Sequence, residues 1–321
     1  MANAFTDTTA YANLVAAAYD RELRRALFAI PIFRQFVDAH PVDPTNTSNS
    51  ITLTVTPEIT GLATTPLSED VDPDAVAPPA PTRVTITLNE YGNVVLETFK
   101  LRESAFTPPD PTLAYLIGRN MAATIDTLVQ NQLQAGTNIL YKNGGSWKSQ
   151  ANSGAEGSVV ATTDVIDATG VSQAATLLRR RFAHGRDGAD QFVGILHPDV
   201  AIDLMTQAPS SFSWVNPHQY QDTSNIYAAE VGSFMGTRWV QSANCAKVAD
   251  GAASTNVYRT YVLGAEAVAE AVPVEPHVVV GLKVDKLMRF NPLGWLTFGG
   301  WSVFRQEAIE QIRTSSSVQA Q

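Results

Sequence analysis

The side chains with the greatest chemical potential in this sequence stand in the wrong company for catalysis. His197-Pro198-Asp199 follows an apolar run, Gln191–Leu196, and catalytic residues often lie at such strand ends; an aspartate beside a proline is equally the start of a helix. Cys245 has Asn244 and Lys247 for neighbours and no nearby histidine to activate a thiolate. Glu69-Asp70 pairs two carboxylates, but within a proline-rich stretch poorly suited to holding them at the separation glycoside hydrolysis needs. Gly144-Gly145-Ser146-Trp147-Lys148-Ser149 has the residue types of a phosphate loop without its spacing. Dinucleotide-binding and nucleophile-elbow motifs are missing, and histidines 40, 184, 197, 218 and 277 fall at no metal-ligand spacing. The expectation is a protein with no catalytic, cofactor-binding or metal-ligating residue, and no cofactor.

One basic cluster stands out. Arg179, Arg180 and Arg181 fall in the last turn of a predicted helix over 170–183 that buries Val171, Ala174, Ala175, Leu178 and Phe182. They could complement the negative end of that helix, bind an acidic segment of another molecule, or touch nucleic acid. The net charge of −9 argues against a tight, sequence-independent grip on DNA or RNA. That charge is unevenly spread. Residues 41–103 carry nine acidic and three basic groups and residues 189–270 eight and three, while the remainder of the chain is slightly basic.

The acidic region contains the most informative pattern in the chain. Ile51, Leu53 and Val55 alternate with threonines in ITLTVT, and Val84, Ile86 and Leu88 do so in VTITL. This period of two is that of half-buried strands. Between them lie residues 57–83, with six prolines, five acids and one arginine, unable to pack a core of their own. A bare two-stranded ribbon is marginal in water, so the arm needs a further surface, and a second copy of the chain is the expected one. Residues 84–101, if extended throughout, would span about 60 Å with a bend near Tyr91-Gly92. Both runs could instead belong to an ordinary sandwich with 57–83 as a loop.

Other elements are predicted around this arm. A helix covers 8–30, ended by Pro31, and a loop follows at 41–50. Asp110 and Pro111 open a long helix with Leu113, Ile117, Met121, Ile125, Leu128, Val129 and Leu133 on one face, closed by Gly136. Residues 143–158 read as a hairpin or loop, and His184–Gly188 as a domain crossover. Gln191–Leu196 is a buried strand and a helix runs from 198 through Met205. Residues 208–226 are irregular and aromatic, with Phe212, Trp214 and Tyr220. Strands are expected at 237–242, 257–263, 266–272, 277–284 and 287–290, a turn at Asn291–Gly294, and an aromatic strand pair through Trp295, Phe298, Trp301 and Phe304. The tail from Thr314 is expected to be disordered. No apolar run approaches the roughly 20 residues that span a bilayer, the N-terminus lacks the features of a secretory signal, and a lone cysteine suggests a reducing compartment, which makes the Asn46-Thr47-Ser48 sequon incidental.

The order of these parts resembles the major capsid proteins of tailed bacteriophages with the Hong Kong 97-type, or Johnson, fold. The resemblance lies in Pro66–Pro73 and Val84–Gly92, in Tyr227–Gly232 and Phe234–Ser242 with glycines at 232 and 236, and in Val279–Leu287 and Gly300-Trp301. It implies an α+β fold: an N-terminal arm (1–41), an extended hairpin loop (42–106), a peripheral domain around the spine helix (107–188 and 271–321) and an axial domain (189–270). It also implies a head-shell subunit assembled in the bacterial host cytoplasm. Its partners would be copies of itself in hexamers and pentamers, packaged double-stranded DNA through non-specific contact, and scaffolding, portal or decoration proteins, with no membrane. The interface candidates are Ile51, Leu53, Val55, Val84, Ile86 and Leu88 on the ribbon, Glu69, Asp70, Asp72 and Asp74 in its loop, a neighbour's Arg179, Arg180 and Arg181 as their basic counterparts, and Trp214. A cellular nanocompartment shell shares the fold and stays open as an alternative, as does a β-rich carbohydrate-active hydrolase.

Overall fold

The computed structural model describes residues 32–42, 49–55, 59, 66–67, 69–70, 72, 75–104, 109–186, 191–206, 227, 229–282 and 285–320. The helix expected at 8–30, the aromatic stretch 208–226 with Trp214, and Asp74 lie outside the described residues. The elements, in chain order, are β1 (Asp38–Ala39), β2 (Ser50–Val55), β3 (Thr82–Thr87), β4 (Asn89–Thr98), α1 (Phe99–Ser104), α2 (Pro109–Gln134), β5 (Asn138–Asn143), β6 (Ser146–Ala151), α3 (Ala168–Arg180), β7 (Phe192–Leu196), α4 (Pro198–Thr206), β8 (Glu230–Phe234), β9 (Thr237–Gln241), β10 (Lys247–Val248), β11 (Val257–Leu263), β12 (Val268–Val280), β13 (Phe290–Val303) and β14 (Ile309–Thr314).

Helix α2 is the spine that the apolar periodicity predicts. Its 26 residues make a rod of about 39 Å at 1.5 Å per residue. Ile117, Ile125, Val129 and Leu133 are buried along one stripe, and the Gly136 N–H returns to the Leu133 carbonyl at 3.1 Å, just past the helix end. One sheet meets this rod, in the order β1-β12-β13-β4. The Trp295 indole on β13 donates to Asn120 on the helix at 3.0 Å, and the Asn93 amide on β4 donates to the same oxygen at 3.3 Å. Residues at alternate positions therefore face the spine, and those between them face away.

The second sheet holds most of the core, in the order β6-β5-β14-β11-β7-β9-β8, with β10 beside β11. Strand β7, a short uncharged run, is buried along its whole length, as its composition predicts. Helix α3 begins at Asp167, whose side chain accepts the Gly170 N–H, and it packs Val171, Ala174, Ala175 and Leu178 into this core. This sheet takes β5, β6 and β14 from the segments expected to be peripheral and pairs them with strands of 189–270. The expected boundary at 188/189 thus cuts across one continuous hydrogen-bonded layer.

Strands β2 and β3 form the expected antiparallel ribbon, with Ile51 opposite Ile86 and Leu53 opposite Val84. Its root is not bare. Ile86 and Leu88 are 0% and 4% exposed, packed with Ala269 and Ala271 on β12 and flanked by Phe298 and Phe304. A Cβ at Gly300 on β13 would collide with the Thr87 carbonyl and lie 2.8 Å from Ile86 Cγ2, so the glycine lets the ribbon seat directly on the sheet. The chain then changes partner at Leu88, leaving β2 and pairing along β4 with β13. That break replaces the bend expected at Tyr91-Gly92, and the extended run ends at α1 instead of continuing to 101.

Three other expectations are corrected. Asn291–Gly294 is part of β13 and not a turn, and of the strand expected at 287–290 only Phe290 is extended, as the first residue of β13. Phe182 is 82% exposed because it follows the end of α3 at φ +57°, which turns its ring away from the buried face. The tail is ordered through Ser317: Ser315 and Ser316 are buried, the Ser316 hydroxyl donates to the Asp199 carbonyl at 2.9 Å, and the Ser317 N–H donates to Asp203 at 3.0 Å.

Gly300→Val should lift the ribbon from its seat. Thermal or denaturant unfolding is expected to show a loss of about 1–3 kcal/mol, the usual cost of forcing extra carbons into a packed site. An unchanged midpoint would mean that the ribbon does not rest there.

Candidate assembly surface

The ribbon and its loop present three kinds of surface. Ile51, Leu53, Val55 and Val84 are half-buried, so this apolar face is only partly covered by the chain itself. Beyond it, Glu69, Asp70 and Asp72 are exposed, as are Ala75–Ala77 and Pro81. Of the expected apolar contacts, Ile86 and Leu88 are withdrawn from any partner by their burial against β12; they anchor the arm rather than extend it.

The chain entering the ribbon is fastened by residues that the sequence reading passed over. The Asp126 carboxylate, buried in the middle of α2, accepts the Ile32 N–H at 2.8 Å, the Phe33 N–H at 2.5 Å and the Asn244 amide at 3.0 Å. Burial pushes its carboxyl up, and these hydrogen bonds oppose that push. Arg34 then grips Glu270 on β12 through two nitrogens, at 2.7 and 3.1 Å, while the Trp301 indole holds the same carboxylate at 2.8 Å. Asp38 pairs with Arg186 at 3.1 Å. A sequence signal for the first clamp existed: Asp126 is spaced three and seven residues before Val129 and Leu133, so it occupies the buried stripe of the spine.

The three arginines do not act as one patch. Arg181 forms an ion pair with Glu310 on β14 at 2.5 Å. Burial pushes the Glu310 carboxyl up, and the guanidinium holds it back. The Arg179 guanidinium lies 5.6 Å from the Phe192 ring centre, and Arg180 is exposed. The expected basic triplet for an acidic arm is thus reduced by one member committed within its own chain.

At the far end of the four-stranded sheet Val94, Leu96, Val280, Leu282, Leu287 and Met288 are all exposed. An open groove of about 420 Å³ runs over this sheet, lined by Val94, Val279, Pro292 and Leu296 around Gly92 and Gly294. No motif announced it, because its residues come from three strands distant in sequence.

The residues with chemical potential are engaged within the fold. The Tyr258 hydroxyl donates to Asp199 at 2.7 Å, and His197 Nδ1 lies 3.3 Å from the same carboxylate oxygen, latching the start of α4 to β11. Burial makes the His197 ring harder to protonate, with Asp199 opposing and Lys247 adding to the effect. Cys245 is buried and its thiol is pushed up by that burial and by Asp126, the reverse of what a nucleophile needs. Among the described residues no cluster of histidine, cysteine and acids could hold a metal ion, and no helix is long and apolar enough to cross a membrane.

The phage capsid protein family matches this sequence over residues 42–314. Among solved structures, the chain is similar to the capsid of Ralstonia phage GP4, with a TM-score of 0.71 and 13% identity over 88% of this chain and 87% of that one. It is similar to the capsid of Cyanophage P-SCSP1u, with a TM-score of 0.63 and 12% identity over 91% and 90%. The head structure of Helicobacter pylori bacteriophage KHP40 gives 0.62 and 11% over 88% and 87%. At these identities the likeness is one of fold, and the fold is the Hong Kong 97-like α+β arrangement that the sequence predicts. No curated protein matches the chain.

Arg181→Ala should leave the Glu310 carboxylate buried without its partner. Breaking such a pair costs about 3 kcal/mol, to be read by denaturant unfolding of the unassembled chain, while Arg180→Ala should cost less than about 0.5 kcal/mol. Equal effects would contradict this division of roles.

Proposed function

The chain belongs to the phage capsid protein family and is a major head-shell subunit, and on that premise we propose how it closes the shell. Each copy lays its ribbon and acidic, proline-rich loop across a neighbour, while its own sheet receives the loop of another copy. The reading is supported by an apolar ribbon face left half-buried beyond a firmly seated root. Covering about 1,000 Å² on the neighbour, at roughly 25 cal/mol/Å², would contribute on the order of 25 kcal/mol before ordering costs. Many such joints hold a shell together even when each is modest.

The finer arrangement follows the same logic. The spine helix and the four-stranded sheet act as the peripheral module. The eight-stranded sheet, with α3 and α4, forms the axial module, which meets its copies at the centres of hexamers and pentamers. The shell encloses double-stranded DNA, touching it without sequence preference, and its net charge of −9 suits a lining that lets DNA slide during packaging. Assembly takes place in the bacterial cytoplasm, with scaffolding, portal or decoration proteins as further partners. The family match across 42–314 is what favours a phage head over a cellular nanocompartment or a glycan hydrolase.

Replacing 57–81 with a short turn is expected to leave a folded, soluble monomer that forms no shells, as judged by circular dichroism and electron microscopy. Normal shells from that variant would remove the arm from the assembly mechanism.

A further inference from the structure

We infer that the polar cleft at the root of the ribbon binds one small, neutral polyhydroxyl ring, a monosaccharide or a cyclitol. This goes beyond the head-shell reading and does not rest on it.

Strand alternation creates the cleft. On β3, Ile86 is buried against β12, so Thr85 and Thr87 on either side of it point the other way and are exposed. They line a cleft of about 240 Å³ that continues along β4 past Asn89 and Tyr91. The spine α2 contributes Leu128 and Gln132, and β13 contributes Trp301 and Ser302, so ribbon, spine and sheet all meet in it. The Tyr91 and Trp301 rings stand 5.9 Å apart at a tilt of 51°. The Trp301 indole is held in place by its hydrogen bond to Glu270 at 2.8 Å.

The lining dictates what can occupy the space. Its polar members are the hydroxyls of Thr85, Thr87, Tyr91 and Ser302 and the amides of Asn89 and Gln132, and none of these side chains hydrogen-bonds to another described residue. Neighbouring polar groups on the same sheet are paired: Asn93 and Trp295 with Asn120, and Arg34 and Trp301 with Glu270. The cleft therefore offers neutral donors and acceptors, with no charged side chain among its lining. A charged ligand would shed water there without gaining a counter-charge. An apolar ligand would cover the polar groups without giving them partners. A ring with hydroxyls at its edge and C–H groups on its faces meets both demands, its hydroxyls pairing with the polar side chains and its faces lying against Leu128 and the two aromatic rings. At about 240 Å³ the space is smaller than the roughly 300–1,000 Å³ of sites for drug-sized ligands, which limits the occupant to one small ring. Thr85 and Thr87 belong to the ribbon and Gln132 to the spine, so a molecule bonded to both ties the arm to the body at its root.

The test is equilibrium dialysis of the unassembled chain against radiolabelled glucose, galactose and myo-inositol, with gluconate and cyclohexanol as charged and apolar counterparts. At least one of the three neutral rings should bind saturably, one per chain, with a Kd in the region of about 1 mM. Gln132→Leu on the spine and Thr87→Val on the ribbon should each weaken that binding by about three- to tenfold. Thr87 is exposed and Gln132 half-buried, both side chains without hydrogen-bond partners, so the variants should fold, which their melting curves check. No saturable uptake of any neutral ring would overturn the site. Gluconate or cyclohexanol binding as tightly as the best neutral ring would overturn its chemistry, and unchanged binding in either variant would overturn the bridge between ribbon and spine. None of these results would touch the head-shell reading, which fails separately, on the absence of shells.

Discussion

A two-stranded ribbon with one apolar face cannot stand alone in water, and the architecture of this chain follows from where that face is covered. Its root is covered from within. Ile86 and Leu88 sink into the surface of β12 and β13, at about 1.5–3 kcal/mol for each fully buried side chain, and Gly300 makes room for the approach. Farther along the ribbon, Leu53, Val55 and Val84 are only half-buried. The molecule therefore carries an arm whose root is fixed by its own sheet and whose apolar face is left half-buried.

The rest of the structure stiffens that root. The spine helix supports the sheet through Asn120, and its buried Asp126 ties down the chain at Ile32 and Phe33 just before the ribbon begins. Arg34 and Trp301 converge on Glu270, so the incoming strand and the sheet it joins share one carboxylate. The larger sheet, with its clamped C-terminal serines and the Arg181–Glu310 pair, forms a second stable mass.

Much of this was legible in the residues. Strict alternation of apolar side chains and threonine predicts the ribbon and its pairing, and helical periodicity predicts the spine to within two residues of its ends. What escaped was decided by tertiary context. VTITLNEYG is extended throughout, and nothing local marks Leu88 as the point where the chain changes partner. Asn291-Pro292 has turn chemistry, but in β13 it is the Pro292 carbonyl that serves the ladder, accepting the Gly281 N–H at 2.9 Å. A serine-rich tail reads as disorder until Asp199 and Asp203 are known to lie beside it. The groove is assembled from segments almost two hundred residues apart, beyond the reach of any motif.

The most direct measurement is residue-resolved hydrogen exchange on the unassembled chain and on the shell. The account predicts that the Ile51, Ile86 and Leu88 amides are protected in both states, and that residues 53–55 and 82–84 gain strong protection only on assembly. Equal protection of 53–55 and 82–84 in the unassembled chain would show the ribbon fully covered by its own body, and would contradict the arm as the joint between subunits.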